Sequence, residues 1–193
     1  MPVYLHQFGL FQDSARLAQA DSHNRLTVDA TQLNRHWHRC GMSSDFWARY
    51  HSLASPRGSQ SPYLSRDSAF HVYTYLLNEL FENCAKFTSG PLTVVSVDTW
   101  MFADQVVYQV SNYLRPAGVQ GFAQLVQNLL QGDLEEMYFQ RLEANAESGG
   151  GGSGLGYLTL MKDYGIKFGF GFETIDQESV RLDVQALVSK KES

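Results

Sequence analysis

Hydrophobic residues recur along this chain with two periods. From Leu76 the apolar positions Leu76, Leu77, Leu80, Cys84 and Phe87 follow helical spacing and predict one long amphipathic helix with these five as its buried stripe. Val119 to Leu130 and Leu134 to Leu142 read as two further amphipathic helices, broken at Gly132-Asp133. Leu155, Leu158 and Met161 begin another, with Gly165 at the position of its C-terminal cap. Period-two alternation predicts strands at Arg25 to Ala30, Leu92 to Val97, Gln105 to Val110, Lys167 to Phe172 and Val180 to Val188. The last two read as an antiparallel hairpin through Asp176-Gln177, and Gly90-Pro91 as the turn before Leu92. Thr31 to Cys40 reads as a basic helical segment. Ser43-Ser44-Asp45 is expected to cap a separate helix carrying Phe46, Trp47 and Tyr50. Ser52 to Asp67, rich in Ser, Pro, Gly and Gln, reads as a linker or loop. The expected fold is α/β, with residues 1–66 an N-terminal extension and linker and 67–189 the main domain.

The chemistry concentrates at two places. Glu79, Asn83 and Lys86 are spaced four and three apart, so they project from one side of the long helix. An Asn amide supplies the oxygen a magnesium ion takes, a Lys offsets phosphate charge, and a Glu one turn back can deprotonate an attacking hydroxyl. Read blandly, the same helix shows a Glu82–Lys86 surface pair and two solvated side chains. The second place is Gly149 to Tyr157, where a glycine-rich turn feeds a helix and so offers unpaired N–H groups to phosphate. The Walker-type phosphate loop is absent.

At these residues the chain resembles the GHKL superfamily of ATP-binding domains, shared by histidine kinases, gyrase-type ATPases and anti-sigma-factor serine kinases. Asn78 to Thr88 looks like its N-box, Glu-Leu-x-x-Asn-Ala-x-Lys-Tyr/Phe, with Cys84 in the place of Ala. Gly151 to Gly156 looks like its second glycine box, Gly-Gly-Thr-Gly-Leu-Gly, with Ser153 for Thr. The length between the boxes and a helical insert over Gly118 to Glu147 resemble the SiaB-type kinases of the bacterial DUF6272 family, in its cyanobacterial branch. The resemblance implies a GHKL-like two-layer sandwich of a mixed sheet and helices, with the insert before the glycine-rich turn. It implies Mg2+ with ATP or ADP. Glu79 would be the catalytic base, Asn83 the magnesium ligand and Lys86 a phosphate contact. Gly151, Gly152, Ser153, Gly154, Leu155 and Gly156 would form the phosphate clamp. It also implies a STAS-domain protein as partner and substrate, with a response regulator or phosphatase as further partners.

One box departs from the pattern. Where the superfamily carries Asp-x-Gly-x-Gly to read adenine, this chain has Asn112 in Ser111-Asn112-Tyr113-Leu114, without the glycines. An amide can bond a purine edge, but it is not the acceptor-only group that a carboxylate is. Three readings follow: a serine kinase acting on a STAS protein, a non-catalytic adaptor on a degenerate pocket, and a sensor holding a flavin nucleotide.

Composition narrows the partners. A 193-residue chain with 44% hydrophobic residues can bury a sizeable core. A net charge of −5 argues against nucleic acid or an acidic membrane surface as the main partner. No apolar run reaches the length of a membrane span. Cys40 and Cys84 make no metal-ligand spacing and fit a reducing cytoplasm. His36-x-His38, His71, Trp37, Trp47 and Phe46 are read as surface or packing residues, with the aromatics partner-facing where exposed.

Overall fold

The computed structural model describes residues 6–35, 37–55, 64–148 and 155–190. In chain order the elements are β1 (His6–Gly9), α1 (Ser14–Leu17), β2 (Ser22–Asp29), α2 (Ala30–Arg35), α3 (Trp37–Ser52), α4 (Arg66–Phe87), β3 (Val94–Met101) and β4 (Gln105–Leu114). Then follow α5 (Pro116–Gln131), α6 (Leu134–Ser148), α7 (Gly156–Lys162), β5 (Lys167–Thr174) and β6 (Val180–Ser189). The strands form one six-stranded sheet in the order β1-β5-β6-β4-β3-β2.

Every neighbouring pair in that sheet is antiparallel, which corrects the mixed sheet expected from the resemblance. The reason is topological. Short turns join β3 to β4 and β5 to β6, and such turns make antiparallel pairs. The helical excursion α5–α7 returns β5 in the same direction as β4, but β6 lies between them. The segment before residue 67, read as extension and linker, supplies both edge strands: β1 pairs with β5 and β2 with β3.

Helix α4 anchors the core. Ser65 Oγ accepts from Ser68 N–H at 3.1 Å, Asp67 sits in the first turn and Lys86 in the last, each matching the helix dipole. Its stripe of Leu76, Leu77, Leu80, Phe81 and Cys84 is buried in one cluster with Val97, Val110, Phe170, Phe172 and Val184 of the sheet. Phe87, expected in that stripe, is instead exposed at the end of the helix, its ring edge-on to Phe122 at 6.1 Å. The break expected at Ser43 to Asp45 is also absent. α3 runs through it, and buried Ser44 donates its hydroxyl to the Cys40 carbonyl one turn back at 2.9 Å. On the opposite face of the sheet, Leu17 of α1 forms a small second cluster with Phe102, Val107 and Leu187.

Two glycines act through geometry. Gly165 has φ +60, a left-handed turn two residues beyond the C-cap Asp163 of α7 that redirects the chain into β5. Gly169 lies under the chain leaving β1: a Cβ there would overlap the Leu10 carbonyl and come within 3.0 Å of Phe11 Cα. Because both obstacles are backbone, Gly169→Ala is expected to lower unfolding stability by about 1–3 kcal/mol. Urea denaturation would measure it, and an unchanged midpoint would show that the crossing segment does not hold the sheet.

Candidate functional site

The face of α4 opposite its buried stripe opens on a cleft of about 530 Å3. Glu79, Glu82, Asn83 and Lys86 form one wall, and α5 adds Phe122, Leu125, Asn128 and Leu129. Met137, Gln140, Arg141 and Ala144 of α6 form the facing wall, and Gly156, Tyr157 and Leu158 of α7 close one end. The volume falls in the range of small-molecule sites, with apolar surface interrupted by a few polar groups. Thus Glu79, Asn83, Lys86 and Gly156, four residues singled out from two distant motifs, meet in one place. The α6 wall was missed, although 137, 140, 141 and 144 repeat at helical spacing and so were legible as a face.

Electrostatics distinguish Glu79 from its neighbours. Burial and the nearby Glu82 carboxylate raise its pKa, while Lys86 and a hydrogen bond from Tyr75 oppose the rise. A Cβ at Gly156 would overlap the Glu79 carboxylate where that side chain now lies, so the first turn of α7 closes directly on it. Asn83 hydrogen-bonds the Tyr157 hydroxyl, whose pKa burial pushes up. An amide carries both a donor and an acceptor group, so this bond leaves one of them for a ligand. Lys86 Nζ lies 3.6 Å from Glu82, the i,i+4 pair expected on the bland reading. That pair nevertheless lines the cleft, and it leaves Lys86 half exposed.

A magnesium ion suits this wall. The Asn83 amide oxygen is a hard donor lining the cleft, and magnesium completes such a partial shell with phosphate oxygens and water. Among the described residues no group of three or more His, Cys, Asp or Glu forms a metal cage.

The remaining predicted residues divide. Leu155 is half-buried just before α7. Gly151, Gly152, Ser153 and Gly154 lie outside the described residues, as do the side chains of His36 and His38. Asn112 is buried on β4 and donates to Thr88 Oγ1 at 3.1 Å. It borders a separate void of about 10 Å3, room for roughly one water. Asn83, Phe87, Phe122 and Tyr157 border both that void and the cleft, and Asn112 does not line the cleft itself. His71 is an exposed residue within α4. Cys40 and Cys84 are free and buried.

Fold and site define a two-layer α/β protein with an interhelical cleft that carries a half-buried carboxylate, an amide and an ammonium group. The chain is similar to one in the crystal structure of the SiaB–SiaC complex from Pseudomonas aeruginosa, with 14% identity, a TM-score of 0.47, and coverage of 96% of this chain and 91% of that one. No family model and no curated protein matches it. Among the described residues no helix is long and apolar enough to cross a membrane.

Proposed function

We propose that this protein is a cytoplasmic signalling regulator that binds adenine nucleotide with magnesium at the α4 cleft and phosphorylates a small STAS-domain partner. The observation that carries the reading is the convergence of Glu79, Asn83, Lys86 and Gly156 on one cleft from two sequence-distant motifs. Glu79 accepts the proton of the incoming serine hydroxyl as that oxygen bonds to the γ-phosphorus and the bond to the β-phosphate oxygen breaks, releasing ADP. Its raised pKa matches the task, because a base works best when its pKa approaches the working pH. Lys86 would face the phosphates and Asn83 would hold the metal, which would supply charge neutralisation. The protein's share of such a transfer is positioning and electrostatics.

A second reading has its own observation. Asn112 is buried and bonded to Thr88 rather than open to the cleft. A non-catalytic adaptor, which sequesters its partner and uses the cleft for another ligand or none, needs no such opening.

Titration calorimetry with Mg-ATP and Mg-ADP separates the two. The kinase reading expects binding, with Asn83→Ala weakening it by about 1–3 kcal/mol, the cost of leaving a charged group short of a ligand. Absence of binding by either nucleotide leaves the adaptor. Mass spectrometry of ligand released from the purified protein would reveal a flavin in place of adenine nucleotide.

A further inference from the structure

Helix α3 is apolar on two opposite sides. Its inner side buries Cys40, Trp47 and Ala48 against the core, and Trp47 Nε1 donates to Thr99 Oγ1 at 3.1 Å. Its outer side carries Met42, Phe46 and Tyr50 at 72%, 63% and 50% exposure, with Leu53, just past the helix end, at 56%. Spacings of four, four and three align them in one stripe. Single exposed apolar residues are ordinary, but a continuous stripe on the order of a few hundred Å2 marks an association surface.

The charges beside the stripe indicate what covers it. Asp45 and Arg49, four residues apart, lie on the same flank and carry opposite signs. Neither makes an ion pair among the described residues, and the Arg49 guanidinium rests 4.8 Å from the Phe70 ring centre. When two copies of one helix pack antiparallel, equivalent flanks meet. A register centred at the level of residue 47 sets each Asp45 opposite the partner's Arg49, twice over. The same register drops each Phe46 between the partner's Phe46 and the partner's Tyr50, and each Met42 between the partner's Tyr50 and the partner's Leu53. This is knobs-into-holes packing. One register therefore satisfies both the apolar and the charged positions, as self-complementarity about a two-fold axis demands.

The surface extends beyond the helix. The Tyr50 hydroxyl lies 3.5 Å from Asn24 Oδ1 on β2, an edge strand whose outer side is unpaired in the sheet. The stripe is thereby continuous with an unpaired strand edge, which widens the surface offered to a partner. We infer that this face binds a second copy of the chain, as an isologous antiparallel α3–α3 pair.

Sedimentation velocity on the full chain over a range of concentrations tests it. The wild type is expected to dimerise. Asp45→Arg and Arg49→Asp are each expected to weaken the dimer by about tenfold or more, because each sets like charges opposite one another. The double exchange should recover most of that loss, and mixing the two single variants should form mixed dimers. Phe46→Asp, at an exposed position, should give a monomer with unchanged circular dichroism. A wild type that stays monomeric at high concentration overturns the inference. So does a dimer unmoved by the exchanges, or a double exchange no tighter than the singles.

Discussion

Glu79→Gln is expected to slow phosphoryl transfer to a serine acceptor by about 10²–10⁴-fold, the usual worth of a general base, while leaving nucleotide affinity nearly intact. The two side chains have almost the same shape, so the close approach of Gly156 to this position survives the change. What disappears is a proton acceptor. Burial and Glu82 raise the pKa of this carboxyl, so the acid limb of the wild-type rate should lie above the range of an ordinary exposed glutamate. That limb should vanish in the variant. Single-turnover transfer of label from ATP to the STAS-domain partner, followed across pH, reads both effects. Equal transfer by variant and wild type would remove Glu79 as the base. A parallel loss of binding and transfer would make it a binding residue instead.

Acidification from pH 7 to pH 4 is expected to cost about 3 kcal/mol of folding stability through His51 alone. His51 is fully buried on α3, edge-on to the rings of Trp47, Tyr50 and Tyr108. Its Nδ1 is 3.3 Å from the Tyr108 hydroxyl, and its Nε2 has no hydrogen-bond partner among the described residues. Burial lowers its pKa from 6.5 to about 4, because the imidazolium loses solvation that nothing nearby replaces. The folded pKa is depressed, so the unfolded state takes up the proton first. Stability is therefore unaffected above pH 6.5, declines as pH falls below 6.5, and levels off once pH passes below about 4. Acidic groups such as Asp29, whose pKa is held down by hydrogen bonds from Thr31 and Thr93, add their own slope at the acid end. Comparison with His51→Phe isolates the histidine. Urea unfolding of that variant should show a flatter dependence between pH 6.5 and 4, whatever its absolute stability. An identical slope in the two proteins would mean that His51 titrates normally in the fold.

Much of the cleft was legible because its residues lie close together in sequence. A rise of 3.6 residues per turn places Glu79, Asn83 and Lys86 on one side of any helix that buries Leu76, Leu80 and Cys84. The strands from β3 onward, the break at Gly132-Asp133 and the left-handed Gly165 were legible for the same reason, since each is a local pattern or a local backbone requirement. Ser44 misled because a serine before an acidic residue looks like a helix cap. In the folded chain its hydroxyl bonds back to Cys40 and the helix continues.

Local periodicity by itself determined the kinds of element, the polar side of α4 and the pairing of β5 with β6, because these depend on residues within a few turns of each other. Tertiary structure alone decided the rest. Placing β6 between β4 and β5 made the sheet antiparallel, and pairing β1 and β2 at its edges drew both N-terminal strands into the fold. Setting α6 across from α4 made a cleft of what was only a helix face. Burying Asn112 against Thr88 left it out of the lining of the cleft that Glu79, Asn83 and Lys86 share. All of these outcomes rest on contacts between residues far apart in the chain, and no periodicity specifies which distant surface will meet which.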